Sequence, residues 1–197
     1  DFGQIEGMDE KRIGTNGLGS VYPGPDLAEA TWNAMDAFRK KGGKALMTLP
    51  ATPIKCAGAP LKMTFMLDNR LRQAGTRGDA TIDFHSSIKS VFSVPVINQE
   101  VLDRWKQADI PVHFQSKLTA IDIDARKATF EQADGSLLVV DFDFIHVPPP
   151  MRAPDAVKNS PLAWQEGPFS AGGWLEVDPG TLQHKRYANV FGVGDIN

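Results

Sequence analysis

The sequence has one cysteine, two tyrosines and four histidines among its 197 residues, and no excess of positive charge: 21 lysines and arginines against 24 aspartates and glutamates leave a net charge of −3. Each shortage excludes something. One cysteine cannot close an internal disulfide, so a redox cycle through it must borrow a second thiol from elsewhere, from a flavin or from a substrate. Without a basic run or stripe to neutralise several phosphates there is no nucleic-acid footprint. No apolar run approaches the roughly 20 residues of a membrane-spanning helix, and no signal peptide is visible. His85, His113, His146 and His184 share no ligand spacing, so the sequence supports no metal site. G-x-S-x-G and H-E-x-x-H are missing, and the common hydrolases go with them. Missing too is G-x-G-x-x-G, the turn that brings backbone N–H groups up to a pyrophosphate at a helix start.

What is present is the composition of a globular protein, 42% hydrophobic and 23% charged, long enough for one ordinary domain with attached segments. Residues 1–25 carry six glycines and no sustained apolar period, and read as a connecting segment. Asp26 then suits an N-cap, with Glu29 three residues on and Leu27, Ala30, Ala34 and Phe38 on one face, up to Gly42-Gly43. Lys44 to Leu49 reads as a short buried strand. Pro60 opens a helix to Ala74 whose apolar face is Met63, Met66, Leu67, Leu71 and Ala74. Ala80 to His85 is a second strand, and Asn98 caps a helix with the stripe Val101, Leu102, Trp105 and Ala108. Pro111 to Gln115 is a third strand.

This βαβαβ order predicts a parallel sheet with right-handed crossovers. Period-2 segments follow at Leu118–Ile123, Ala128–Gln132 and Leu137–Phe142, with a hairpin signal in Ala133-Asp-Gly-Ser136. They predict an antiparallel meander over about 117–142, after which Phe144 to Val147 returns to the main sheet and Pro148 to Pro150 break it. The expected fold is therefore α/β, a three-layer Rossmann-like domain over 26–150 with a parallel sheet and an inserted meander. Residues 151–197 form a return segment.

The chemistry concentrates in Thr48 to Lys62, TLPATPIKCAGAPLK. Cys56 lies in a strand-to-helix loop, at the carboxyl end of the sheet where open α/β folds bind ligands. Gly58 alone remains of the phosphate-binding glycines; Pro53 and Pro60 stiffen the loop, and Ala57 and Ala59 would crowd a phosphate. The positive end of the following helix and the charge of Lys55 favour a thiolate at Cys56. Composition alone favours the plainer alternative, a small inert buried cysteine. His146 sits beside the triple proline at a strand end, placed to serve as a proton donor. Pro148 to Met151 form either a rigid wall for a flat ring or a stiff exit from the sheet. Asn189 to Val193 reads as a short apolar strand ending in Gly194-Asp195, a common strand-and-turn pattern in its own right.

Three stretches carry a resemblance. PATPIKCAGAPLK (Pro50–Lys62) is similar to the cysteine loop of the sulfide:quinone oxidoreductases, most of all their mitochondrial-type branch, within the FAD-dependent pyridine nucleotide-disulfide oxidoreductase superfamily. FDFIHVPPPMRAPDAVKNSPLA (Phe142–Ala163) and GGWLEVDPGTLQHKRYANVFGVGDIN (Gly172–Asn197) resemble the same family. The resemblance implies that 26–150 is the pyridine-nucleotide-type second domain of such a flavoprotein. It makes Cys56 the redox cysteine, paired with a cysteine outside this chain, and gives Gly194 and Asp195 to FAD, the aspartate at a ribityl hydroxyl. It puts Lys55, His146, Pro149, Pro150 and Met151 about a flavin and quinone pocket. Sulfide and quinone are then the substrates, without NAD(P) or metal, and the parent is peripheral to an energy-transducing membrane, bacterial plasma or mitochondrial inner, through regions outside this chain.

Both ends look cut from a longer protein, which would lack here its amino-terminal flavin-binding βαβ unit and a carboxyl-terminal region with the second cysteine. This piece alone is expected not to hold FAD. Two other readings stand beside this one: an NAD(P)H-dependent flavoprotein reductase, which the missing glycines oppose, and a non-catalytic α/β binding module, which a deeply buried Cys56 would favour. Nothing in the sequence sets an oligomeric state.

Overall fold

A computed structural model describes residues 1–197, which divide into two units. The larger comprises Phe2–Ala51 and Cys56–Pro149; the smaller comprises Asp1, Thr52–Lys55 and Pro150–Asn197.

In chain order the larger unit is built from β1 (Leu18–Gly19), α1 (Pro25–Lys41), β2 (Gly43–Leu49), α2 (Gly58–Ala74), β3 (Ala80–Ser86), α3 (Pro95–Gln107), β4 (Val112–Phe114), β5 (Lys117–Asp122), β6 (Lys127–Glu131), β7 (Leu137–Asp141) and β8 (Phe144–His146). Five strands form one parallel sheet in the order β1-β8-β2-β3-β4, and β5-β6-β7 form a separate antiparallel sheet. From β1 to β2 to β3 to β4 each connection steps the same way across the sheet. Right-handed crossovers therefore put α1, α2 and α3 on one face. The return from β4 to β8 steps the other way and carries the meander to the opposite face, giving the three expected layers.

Side chains alternate along each strand to fill both interfaces. Leu18, Leu46, Ile145 and Val147 share a core with Ile121, Ala128, Phe130 and Phe142 of the meander side. On the helical face Phe144 meets Phe38 of α1, ring centroids 5.9 Å apart, and Phe84 meets Trp105 of α3 at 4.5 Å.

Several details differ from the sequence reading. Residues 1–25 do more than connect: they supply β1 and bury Ile5, Ile13 and Leu18 in the meander-side core. Their glycines mark close approach. A Cβ on Gly17, at φ +81°, would lie 2.0 Å from the Asp143 carbonyl oxygen, against which β1 enters the sheet. α1 starts at Pro25, with Gly24 rather than Asp26 at the cap position, and Asp26 places its charge in the first turn. Asn98 lies inside α3, and its Oδ1 accepts the Val91 and Phe92 N–H groups at 2.8 and 3.2 Å, tying the preceding loop to the helix.

In the smaller unit regular structure is sparse: α4 (Asp155–Lys158) and isolated bridges Ala163–Leu175, Val177–His184 and Gln183–Phe191. The strand expected over Asn189–Val193 is reduced to the last of these bridges, and Val193 is 76% exposed. β-forming residues without a neighbouring ladder do not make a strand. His184 is an internal post: its Nδ1 accepts the Arg186 N–H at 3.0 Å, so its Nε2–H donates to the Leu162 carbonyl at 2.8 Å.

A polar clip joins the helical layer to the sheet. Arg77 gives Nε to Asp68 of α2 at 2.7 Å, Nη1 to the Ala80 carbonyl at the start of β3, and Nη2 to the carbonyls of Ala108 and Asp109 after α3. Asp68 is 9% exposed and is also held by Arg72, whose Nε donates to Oδ2 at 2.7 Å and Nη2 to Oδ1 at 3.1 Å, so Arg77→Ala leaves that carboxylate one cation and takes a donor from three carbonyls. A loss of about 2 kcal/mol of stability, mostly from the lost hydrogen bonds, is expected in urea unfolding, with Arg77→Lys recovering less than half because an ammonium lacks the planar fork.

Candidate functional site

β2 delivers the cysteine loop at the carboxyl edge of the sheet, where Ser87 donates both its backbone N–H (3.1 Å) and its hydroxyl (2.7 Å) to the Leu49 carbonyl. Cys56 is exposed and holds φ +57°, in the left-handed region that non-glycine residues avoid. Its carbonyl accepts the Ala59 N–H at 2.9 Å as α2 begins. No side chain caps α2 and no acidic residue occupies its first turn, so the positive helix end is uncompensated two residues from the thiol. The Tyr22 hydroxyl lies 3.5 Å from the Cys56 carbonyl oxygen. Burial raises the Tyr22 phenol above its ordinary value and Cys56 adds to the rise, so the hydroxyl stays protonated.

His146 is fully buried in the larger unit, its ring 6.4 Å from that of Tyr22. Neither ring nitrogen has a hydrogen-bond partner, and burial pushes its pKa down to about 4. It is a neutral, buried ring at the strand end, at the position the sequence reading assigned to a proton donor. Thr48 Oγ1 donates to its carbonyl at 2.9 Å.

The smaller unit holds a cavity of about 150 Å³ lined by Pro53, Ile54, Lys55, Phe169, Trp174, Gly194, Asp195 and Asn197. Met151 pins the Thr52–Lys55 segment: its Sδ accepts the Lys55 N–H at 2.9 Å, and its own N–H donates to Thr52 Oγ1 at 2.8 Å. Gly194, at φ +81°, has open space where a Cβ would stand, so its backbone is free to meet a ligand. Of the residues named from the sequence, Lys55, Gly194 and Asp195 thus share one cavity, and Met151 and Pro150 belong to the same unit. Cys56, His146 and Pro149 belong to the larger one. Sequence reading missed Tyr22, in a glycine-rich stretch without a period, and the flat side chains Phe169 and Trp174.

No protein-family model matches the chain. Among curated proteins it is 36% identical over 99% of its length to the mitochondrial sulfide:quinone oxidoreductase of Mus musculus, and 39% identical over 98% to that of Dictyostelium discoideum. The chain resembles the sulfide:quinone oxidoreductases over nearly its whole length. It spans 42% and 41% of those two relatives. A sulfide:quinone oxidoreductase from Aquifex aeolicus shares the fold with a TM-score of 0.75 at 19% identity, covering 98% of this chain and 43% of that one. A chain in the Tetrahymena thermophila mitochondrial ATP synthase structure does so at 0.80 and 22%, covering 100% and 47%. A pyridine nucleotide-disulfide family oxidoreductase from Enterococcus faecalis matches at 0.53 and 15%, covering 98% and 38%. No helix here is long and apolar enough to cross a membrane.

Two outcomes follow from this geometry. Glycine adopts the Cys56 backbone without strain and alanine does not, so Cys56→Gly should be about 1 kcal/mol more stable than Cys56→Ala in urea unfolding. His146 binds its proton near pH 6.5 when unfolded and only near 4 when folded. Its contribution is therefore complete above pH 6.5 and is lost as pH falls toward 4. Between those values His146→Gln should flatten the fall in unfolding free energy by up to about 1.4 kcal/mol per pH unit.

Proposed function

We propose that this chain is the part of a sulfide:quinone oxidoreductase that carries one redox cysteine, Cys56, and a wall of the FAD site, Gly194 and Asp195. The observation that carries the reading is the exposed Cys56, strained into a left-handed turn ahead of an uncapped helix, in a chain similar to this family from end to end. On this reading residues 150–197 return toward the flavin-binding part of the protein.

Hydrosulfide attacks a disulfide between Cys56 and a cysteine from another part of the protein. The old S–S bond breaks and a new one forms, leaving a persulfide on one sulfur and a thiolate on the other. A nucleophilic acceptor takes the sulfane sulfur, and the remaining pair of thiols gives up two electrons to close the disulfide again. FAD, which Gly194 and Asp195 would help to hold, would supply the acceptor for that electron pair and its passage to quinone.

The chain's own residues hold this chemistry in place. Cys56 stands just ahead of α2, whose start no side chain caps, and the Tyr22 hydroxyl holds the Cys56 carbonyl. The cavity suits a part of FAD: an open glycine backbone, a carboxylate to accept a hydroxyl, Lys55 for negative charge, and the flat faces of Trp174 and Phe169. Ala57, Ala59 and Pro60 deny the NAD(P)H alternative its phosphate cradle. Quinone, a lipid-soluble acceptor, places the work at an energy-transducing membrane, and the mitochondrial relatives favour the inner mitochondrial one.

The test is the parent protein titrated with sulfide, NADH and a quinone while its flavin absorbance is followed. Sulfide should bleach the flavin and quinone restore it, with NADH inert. Cys56→Ser should keep the flavin colour and slow bleaching by sulfide at least about a hundredfold. Bleaching by NADH at the rate of sulfide would overturn the assignment.

A further inference from the structure

We propose that Asp83, His85 and His113 form a binding site for a zinc-type divalent cation, one that clasps the edge strand β4 onto β3. Sequence spacing hides this group, because it is assembled across the sheet. In the parallel register of β3 and β4, His85 stands directly beside His113. Asp83, two residues before His85, points to the same face. One donor atom from each of the three lies within 4.8 Å of the others, with His113 Nε2 3.8 Å from Asp83 Oδ2.

His85 supplies the second observation. It is 1% exposed, and its ring stacks on Phe130 of the meander at 3.9 Å, which fixes the ring plane. Its Nδ1 lies 2.9 Å from Ser116 Oγ, and that hydroxyl is held in turn by Gln132 Nε2 at 3.0 Å. Its Nε2 has no partner. A buried ring nitrogen left unpaired is costly and points to a missing partner. Histidines that bind metals give the proton of one ring nitrogen to a neighbouring acceptor and keep the other lone pair free. Ser116 is such an acceptor, with Nδ1–H donating to its Oγ, and Nε2 is then the free donor atom.

His113 has the freedom to complete the set. It also stacks on His85, at 4.5 Å and 20°, and near-parallel rings do not aim their lone pairs at one point. Its side chain is 42% exposed on an edge strand of three residues, so it can swing toward Asp83. Two imidazoles and one carboxylate match Zn²⁺ and its neighbours, with water filling the remaining position, whereas Mg²⁺ and Ca²⁺ prefer oxygen alone. The site lies apart from Cys56 in sequence and takes no part in the reaction proposed above. Its effect is to stiffen the open edge of the sheet.

The experiment uses the 197-residue chain with Cys56→Ser and no histidine tag. Zn²⁺ is titrated in competition with a chromogenic chelator, and Co²⁺ is titrated while the visible spectrum is recorded. One ion per chain with Kd below about 10 µM is expected, together with Co²⁺ bands and a melting temperature raised by Zn²⁺. His113→Ala and Asp83→Asn change surface-accessible side chains and should each weaken binding at least about tenfold. Asp134→Asn, in the exposed β6–β7 turn, should not. Circular dichroism of each variant establishes that the fold is kept. Binding weaker than about 10 µM, or binding unchanged in folded His113→Ala, overturns the site.

Discussion

A parallel strand cannot be reached by a hairpin, and β2 has a parallel neighbour on each side. Every strand next to it must be joined by a crossover that travels over a face of the sheet, and handedness decides which face. The helices and the meander owe their places to this one demand of backbone pairing. So does the position of the cysteine loop, since in a parallel sheet all the strand-to-helix turns gather at one edge. Cys56 follows β2, the middle strand, with the helical layer on one face and the meander on the other.

Burial on both faces cuts most of β2, β3 and β8 off from water, so each buried polar side chain there needs an internal partner. Most find one. Thr31 Oγ1 accepts the Ser20 N–H and donates onward to a backbone carbonyl, and Thr48 reaches the His146 carbonyl. Two histidines do not: His146 lacks partners at both nitrogens and His85 at one, whereas His184 in the smaller unit uses both. One unpaired ring lies beside Met47 of β2 and near Tyr22, the other beside His113 and Asp83. Both are held neutral by burial, with pKa values of about 4 and about 3.

Local pattern was enough for the elements whose burial follows one period. β2 and β3 are short apolar runs, α2 shows its face at i, i+3, i+4, and the Asp134-Gly135 turn announces the β6–β7 hairpin, with Gly135 at φ +81°. What escaped depends on distant chain. β1 has only two residues, and Ile5 and Ile13 look unpatterned until the meander covers them. Asn98 looks like a cap because caps and loop staples use the same side-chain oxygen. Asn189–Val193 has strand composition and no ladder to join. Of the candidate residues, Cys56 and the Gly194-Asp195 pair stand out in the sequence by residue type, whereas Tyr22 beside the Cys56 carbonyl, Trp174 beside Gly194 and His85 beside His113 are set by packing and register that no spacing reveals.

The composition of the cysteine loop now has a physical reading. A dinucleotide loop uses glycines so that a ligand from outside can come up to bare helix amides. Here Ala57, Ala59 and Pro60 guard the start of α2, yet its amides remain uncapped. The left-handed turn at Cys56 puts a sulfur-bearing residue two positions ahead of the helix start. The strain at Cys56 is of the order of 1 kcal/mol. Relieving it with glycine removes the sulfur, and alanine or serine keeps the strain without the chemistry. On the function proposed above, a thiol at this position is what gives the left-handed turn and the uncapped helix a common use.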